Sequence, residues 1–262
     1  MLLALDIGNT NVVLALYEGD RQMGLWRFVS DVNLAETAYQ KLLTDSIGDA
    51  VASVDGVIIA SVVPGLTPLL QSLAQRLFAC RAMVIGNADV DLGIKINIEQ
   101  PEQAGADRLV NAVGVRASYS LPAIILDFGT ATTLDLIAAD GSYEGGIIAP
   151  GVNLSIDALE RAAAQLPRLE VRPWANELPI LGKNTISAME SGVFWGYVSM
   201  IEGLLTRLRS QYGKSLPAIA TGGLASLFAT HVPSITVVDP DLTMRGLLEI
   251  YARNNSTNET DA

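Results

Sequence analysis

The feature that most constrains the fold of this 262-residue chain is a strand–turn–strand pattern that occurs twice. The segment Leu5–Asn11 reads LDIGNTN, and 121 residues later the segment Leu126–Thr132 reads LDFGTAT. In both copies an apolar run precedes Asp-x-Gly, and a second apolar run and a glycine-containing turn follow it. The offset is close to half of the chain, which indicates duplication of a whole domain; solenoid repeats recur every ~20–50 residues.

Apolar periodicity predicts alternating strands and helices in both halves. The predicted strands are 2–5, 12–17, 25–30, 56–63, 83–85, 94–98, 123–127, 133–138, 143–148, 217–221 and 235–238. The predicted helices are 34–47, 67–78, 106–119, 152–165, 184–212, 224–230 and 242–253. We therefore expect an N-terminal domain over 1–119, a C-terminal domain over 120–253 and a polar, frayed tail over 254–262.

Composition excludes several classes of function. Half of the residues are apolar, which is enough for one or two cores and excludes disorder for most of the chain. Acidic residues outnumber basic ones, 28 to 17, for a net charge of −11. Nucleic acids and anionic membranes both require basic surfaces, so we expect neither as a partner.

Cysteine and histidine are scarce, with Cys80 and His231 the single examples. An intrachain disulfide, a cysteine-based metal cluster and a histidine-based catalytic triad therefore lack the residues they need. Polar residues from Asp6 onward interrupt the N-terminal apolar run before the core of a signal peptide could form. No run of 18 apolar residues occurs, so we expect a cytoplasmic protein.

The composition of the two turns predicts that they bind phosphate. Gly8 and Gly129 would let the main chain approach a ligand, and the N–H groups of such turns bind phosphate oxygens. An aspartate before each glycine would repel phosphate, so Asp6 and Asp127 fit best as ligands, direct or through water, of a hard cation such as Mg²⁺. Two such turns facing each other across a cleft would hold a nucleotide from both sides.

Two further motifs each allow two interpretations. Gly105–Arg108 (GADR) opens a predicted helix, where Asp107 is favoured by the helix dipole and can pair with Arg108. Alternatively, Asp107 is a general base and Arg108 clamps a carboxylate with its planar fork. Gly222-Gly223 is either a plain strand-to-helix turn or a flat floor beneath an adenine ring. Neither the P-loop motif nor the dinucleotide-binding motif G-x-G-x-x-G occurs.

Taken together, these segments resemble those of the type III pantothenate kinase family. In chain order they are Asp6–Asn11, Gly105–Arg108, Asp127–Thr133, Gly145–Gly151, Gly182–Thr185 and Thr221–Gly223. Each segment alone is a weak signal, but six in this order over nearly the whole chain are specific. The resemblance implies an α/β fold of the acetate and sugar kinase/Hsp70/actin superfamily. This fold has two ribonuclease-H-like domains of the actin/hexokinase/Hsp70 type, with the active site in the interdomain cleft.

The resemblance also implies a reaction, in which the γ-phosphate of ATP is transferred to pantothenate to give 4′-phosphopantothenate, the first step of coenzyme A biosynthesis. It places ATP on Asp6, Ile7, Gly8, Asn9, Thr10, Asn11, Val12, Val13 and Thr130. It places pantothenate on Gly105, Ala106, Asp107, Arg108 and Thr185, with Asp107 as general base. Mg²⁺ would accompany ATP, held by Asp6 directly or through water, and Asp127 would bind a monovalent cation, K⁺ or NH₄⁺.

Members of this family are typically homodimers with substrate near the interface. Gly192 and Gly196, one helical turn apart, would allow close helix packing there, although packing within one subunit explains them as well. One position departs from the family pattern: many relatives have a substrate-contacting tyrosine seven residues before the GADR glycine, where this chain has Ile98. Ile98 can keep an apolar wall but cannot make a phenolic hydrogen bond.

Two rival interpretations remain open. Another enzyme of the superfamily, such as a kinase for a different hydroxy acid or a polyphosphate-cleaving phosphatase, would share both Asp-x-Gly turns. It should lack the combination of GADR and Gly182–Thr185. A non-catalytic relative would have lost its acids, whereas Asp6, Asp107 and Asp127 are all present.

Overall fold

The computed structural model describes residues 1–162, 166–169 and 178–256. The strands are β1 (Leu2–Ile7), β2 (Asn11–Glu18), β3 (Arg21–Val29), β4 (Gly56–Ser61), β5 (Met83–Val84), β6 (Ala123–Phe128), β7 (Ala131–Ile137), β8 (Tyr143–Pro150), β9 (Ala218–Thr221) and β10 (Val237–Val238). The helices are α1 (Glu36–Ile47), α2 (Thr67–Phe78), α3 (Ala106–Ser118), α4 (Val152–Ala162), α5 (Thr185–Tyr212), α6 (Ala225–Ala229) and α7 (Leu242–Ser256). None of these helices is long and apolar enough to cross a membrane.

The chain divides into two units, each built on one five-stranded sheet. Unit 1 comprises Met1–Tyr119 and Asp241–Ala262, and its strands lie in the order β3-β2-β1-β4-β5. β1 pairs antiparallel with β2 and parallel with β4, so it is central in the sheet. A central strand is buried on both faces, which explains its almost continuous apolar sequence.

The two faces of the sheet in unit 1 carry separate cores. Leu3, Leu5 and Ile7 of β1 pack with the apolar sides of α1 and α2. Ala4 points to the opposite face, where β1 packs with α3 and α7. Because side chains alternate along a strand, Asp6 lies on the face covered by α3 and α7.

Unit 2, Ser120–Pro240, repeats the same topology. Its strand order is β10-β9-β6-β7-β8, with β6 antiparallel to β7 and parallel to β9. The core of unit 2 contains a stack of aromatic rings, with the centroids of Phe128 and Phe228 5.3 Å apart. The repeated topology confirms that the two halves share one fold.

The repeat differs by one residue within the turn. β1 and β6 keep the offset of 121 residues, but Ile7 pairs with Val12 whereas Phe128 pairs with Thr132. The second turn is therefore one residue shorter, and the ungapped alignment of the two motifs is wrong after the glycine. As a result the first turn has two residues at its tip, Asn9 and Thr10, where the second has Thr130 alone.

The C-terminal helix departs from the predicted domain boundary. The prediction assigned 242–253 to the second domain, but α7 belongs to unit 1, where it packs against α3. A methyl group added at Gly246 would lie 2.1 Å from the carbonyl oxygen of Val110, so the two helices are in close contact. Thr243 also donates a hydrogen bond to Asn111 at 2.7 Å.

Two smaller predictions were also wrong. The tail was predicted to fray from residue 254, but α7 continues to Ser256 and Asn254 donates to the carbonyl of Ile250 at 2.7 Å. The strand predicted at 94–98 is a loop in which Ile96 makes a single bridge. Residues 257–262 of the predicted tail and residues 163–165 of the predicted fourth helix lie outside the described part of the chain.

Candidate active site

The first turn is held in shape by hydrogen bonds across its base. The N–H of Gly8 donates to the carbonyl of Asn11 at 2.9 Å. Ser30, at the end of β3, donates through its hydroxyl to the carbonyl of Gly8 at 2.5 Å and through its N–H to that of Thr10 at 3.0 Å. Asn9 and Thr10 are exposed at the tip of the turn. Ser30 has no signal in the sequence because its role depends on the pairing of β3 with β2.

The burial of residues 6–13 shows which of them could contact a nucleotide through the side chain and which only through the main chain. The side chains of Ile7 and Val12 are fully buried in the core beneath α1 and α2. Any contact they make with ATP must therefore come from the main chain. Asp6 and Val13 are only partly buried and pair directly with each other across β1 and β2.

The GADR segment forms the start of α3, with Gly105 as the N-cap and Asp107 in the first turn. Oδ1 of Asp107 accepts a hydrogen bond from the N–H of Arg108 at 2.8 Å. A methyl group added at Gly105 would lie 2.6 Å from this same oxygen. Glycine at 105 therefore leaves the space that the carboxylate occupies, and the helix dipole favours a negative charge there.

The structure brings the first turn and the GADR segment to the same end of the sheet in unit 1. β1 and β4 are parallel, so their carboxyl ends coincide, and the N–H of Val62 after β4 donates to the carbonyl of Ile7 at 3.0 Å. Gly105 borders Val62, since an added methyl group would lie 3.7 Å from its Cγ1. An exposed turn of the kind that binds phosphate and the carboxylate of Asp107 thus lie at the same end of the sheet.

The second turn lies at the equivalent place in unit 2. The N–H of Gly129 donates to the carbonyl of Ala131 at 3.0 Å, and the N–H of Gly151 donates to that of Thr130 at 3.1 Å. Thr130 is exposed, and Asp127 is partly buried at the carboxyl end of β6. Asp127 and Thr130 therefore stand in unit 2 where Asp6 and the turn tip stand in unit 1.

Gly222 closes over Asp127 in a way that only glycine permits. Its φ is +90°, and an added methyl group would lie 2.5 Å from Oδ1 of Asp127 and 2.7 Å from the main-chain nitrogen of Phe128. Packing thus explains Gly222. Gly223, in contrast, has nothing within 4 Å of an added methyl group. An adenine floor therefore remains a prediction that concerns Gly223.

The cations predicted at Asp6 and Asp127 would each be held by a carboxylate near the carboxyl end of a central strand. The described residues contain no cluster of three His, Cys, Asp or Glu side chains that could hold a metal ion. Mg²⁺ in nucleotide sites is commonly held by one or two carboxylates together with substrate phosphates and water, which suits Asp6. A monovalent cation at Asp127 stays a prediction.

Thr185 is the first residue of α5 and is exposed. A reciprocal capping box fixes this helix start: Asn184 Oδ1 accepts from the N–H of Ser187 at 2.9 Å, and Ser187 Oγ accepts from that of Asn184 at 3.2 Å. The residue borders an apolar groove of about 950 Å³ formed mainly by α4 and α5. Gly192 and Gly196 line this groove, and neither has an atom within 4 Å of an added methyl group.

Tyr197 forms a polar spot in the wall of this groove that the sequence did not reveal. Its hydroxyl donates to the carbonyl of Pro150 and lies 3.1 Å from the hydroxyl of Ser155. Burial raises the pKa of Tyr197, so the phenol stays neutral. A tyrosine within a long apolar helix gives no sequence signal for such a role.

Solved structures with the same fold include kinases. A Campylobacter jejuni protein described as a Baf family transcriptional activator aligns with a TM-score of 0.64 and 18% identity, covering 97% of this chain and 99% of that one. A Porphyromonas gingivalis protein described as an N-acetylglucosamine kinase aligns with a TM-score of 0.54 and 13% identity, covering 97% and 100%. At such identities the likeness shows the fold alone, and it confirms the predicted α/β fold of the actin/hexokinase type.

Sequence comparison gives the family. The model of the type III pantothenate kinase family matches residues 2–207. A type III pantothenate kinase of Paramagnetospirillum magneticum is 47% identical over 260 residues, which is 98% of this chain and 98% of that protein. Seven further bacterial relatives with this name are 43–48% identical. The chain belongs to the type III pantothenate kinase family.

Proposed function

We propose that this chain transfers the γ-phosphate of ATP to pantothenate and so catalyses the first step of coenzyme A biosynthesis. The observation that carries this proposal is that an exposed Gly-Asn-Thr turn and the carboxylate of Asp107 lie at the same end of the sheet in unit 1. The chain also belongs to the type III pantothenate kinase family. Phosphoryl transfer needs positioned groups and charge neutralisation more than covalent help from the protein. A cytoplasmic location would give this reaction its supply of ATP.

In this proposal the first turn binds the phosphates of ATP. Asn9, Thr10 and Asn11 contribute N–H groups and polar side chains, and Gly8, whose own N–H bonds to Asn11, lets the main chain come close to the phosphates. The buried residues Ile7 and Val12 contribute main-chain groups only. The same reasoning gives Thr130 a contact with ATP from the tip of the second turn. An ATP-dependent kinase works with a divalent metal, for which we propose Mg²⁺ held by Asp6 directly or through water.

Asp107 is the proposed general base for the 4′-hydroxyl group of pantothenate. Its Oδ1 accepts a hydrogen bond from the N–H of Arg108. In the described residues this leaves Oδ2 to accept the proton of the hydroxyl group. Arg108 is the next residue in the chain, and we propose that its guanidinium binds the carboxylate of pantothenate, because its planar fork binds carboxylates with two hydrogen bonds. Gly105, Ala106 and Thr185 complete the proposed substrate contacts.

Binding of two anions by a chain with a net charge of −11 requires local positive groups. The proposed groups are the N–H groups of the turns, Arg108, Mg²⁺ and a monovalent cation, K⁺ or NH₄⁺, at Asp127. Most of the acidic surplus then serves solubility and has no role in the site.

We further propose that the chain forms a homodimer through the groove lined by α5. Support comes from the open space beside Gly192 and Gly196, which would allow a second helix to approach closely. Light scattering on the purified protein tests this proposal. Gly192→Leu should reduce a dimeric mass to that of a monomer, whereas a monomeric wild-type protein would contradict it.

A coupled assay of ADP release, with and without pantothenate, tests the proposed reaction. ADP release should depend on pantothenate and should be faster in K⁺ than in Na⁺. Hydrolysis of ATP without pantothenate would instead favour a phosphatase or a kinase with another substrate. Equal rates in K⁺ and Na⁺ would remove the monovalent cation from Asp127 but leave the reaction standing.

A further inference from the structure

Hydrogen bonds join the C-terminal end of helix α7 to the loop that leads into α3. Nε of Arg253 donates to Oδ2 of Asp91 at 2.6 Å. The side chain of Asn254 accepts from the N–H of Asp91 at 2.8 Å and donates to its carbonyl at 2.9 Å. Two adjacent residues of α7 thereby fix both the side chain and the main chain of Asp91.

Gly93 extends this network to α3. Oδ1 of Asp91 accepts from the N–H of Gly93 at 2.8 Å, and the carbonyl of Gly93 accepts from Arg116 of α3. Gly93 has a φ of +69°, and an added methyl group would lie 2.7 Å from Nε of Arg253. The guanidinium of Arg253 thus packs directly on the main chain of Gly93. We call Asp91, Gly93, Arg116, Arg253 and Asn254 the Asp91 clamp.

The clamp holds the start of the segment that ends at the proposed general base. From Gly93 the chain passes through Ile98 and reaches Gly105 and Asp107 at the start of α3. The other end of this segment is fixed by the contact of Gly246 in α7 with the carbonyl of Val110 in α3. Helix α7 therefore holds the segment on both sides.

We propose that Arg253 and Asn254 are positioning residues that hold loop 93–104 in the shape that binds the acceptor substrate. The inference rests on the proposed function, because pantothenate is the acceptor whose binding it concerns. Both residues act through the loop, so their loss should weaken the binding of pantothenate and leave phosphoryl transfer and ATP binding unchanged.

Steady-state kinetics of Arg253→Ala and Asn254→Ala test the proposal. Arg253→Ala removes the exposed ion pair with Asp91, and Asn254→Ala removes the two hydrogen bonds to the main chain of Asp91. Each change should raise KM for pantothenate about two- to fivefold, and the double variant about tenfold. We expect kcat and KM for ATP to stay within about twofold, and Arg253→Lys, which keeps the charge, to restore part of the affinity. Arg76→Ala is the matched control, because Arg76 is similarly exposed and pairs with Glu36 in the same unit.

Amide hydrogen exchange gives a second measurement that needs no turnover. Exchange over residues 91–104 should be faster in Arg253→Ala than in wild type and unchanged in Arg76→Ala. Unchanged exchange, an unchanged KM for pantothenate in the double variant, or a lower kcat at unchanged KM would each overturn the proposal. A wild-type protein that does not phosphorylate pantothenate would overturn the proposed function and the assignment of the acceptor, while faster exchange in Arg253→Ala would still establish the clamp.

Discussion

Replacing Gly222 with alanine should destabilise unit 2 and disturb Asp127 together. At φ +90° an alanine costs about 1–2 kcal/mol in backbone strain. Its methyl group would also lie 2.5 Å from Oδ1 of Asp127 and 2.7 Å from the main chain of Phe128, and overpacking of this kind costs about 1–3 kcal/mol. The sum, about 2–5 kcal/mol, is a large part of the ~5–15 kcal/mol that stabilises a typical protein.

Urea denaturation followed by circular dichroism measures this loss. The slope rises with chain length and should lie near the upper end of its usual range here, about 2.5 kcal/mol per M, so the midpoint should fall by about 1–2 M. Gly223→Ala is the matched control, because the neighbouring glycine has nothing within 4 Å of an added methyl group, and its midpoint should not fall. If Asp127 binds K⁺, Gly222→Ala should also need more K⁺ for activity. A midpoint equal to that of wild type would refute the steric reasoning.

Three further predictions follow from the geometry. Asp107→Asn should lower kcat by roughly 10²–10⁴-fold while the protein stays folded, and near-normal turnover would remove Asp107 as the base. Gly246→Ala should lower the urea midpoint because its methyl group would meet the carbonyl of Val110, even though alanine is the better helix former by about 1 kcal/mol. Gly203→Ala is the control: its methyl group would meet only a flexible side chain, so the midpoint should not fall. Hydrogen bonds from Gly93 and Arg253 lower the pKa of Asp91 below its ordinary value of 3.8. The stability that the clamp gives to the loop should therefore be constant above pH 3.8 and lost as the pH falls through the lowered pKa. Amide exchange of the loop, measured from about pH 3 to 7, checks this.

The repeated fold could be predicted because its signals are local. Each half begins with a buried strand, a glycine turn and a second strand, and these patterns depend on residues that are neighbours in the sequence. The start of α3 at GADR was predictable for the same reason, since Gly105 and Asp107 are typical of a helix N-terminus.

The features that were missed depend on contacts between distant residues. Ile94, Ile96 and Ile98 alternate as in a strand, but among these three only Ile96 makes a bridge in the described structure, and Ile94 packs in the core shared by α3 and α7. The return of α7 to unit 1 depends on the fit of Gly246 against Val110, which no periodicity reveals. Likewise, the shorter second turn was hidden because Asn11 and Thr132, both small and polar, matched in the ungapped alignment.

The central claim is that this chain phosphorylates pantothenate with Asp107 as the base, and ³¹P NMR of the reaction mixture tests it most directly. With ATP, pantothenate, Mg²⁺ and K⁺, we expect one phosphomonoester of pantothenate for each ADP formed, and almost none over the same time with Asp107→Asn. Release of inorganic phosphate in place of 4′-phosphopantothenate, or equal product from wild type and Asp107→Asn, would contradict the claim.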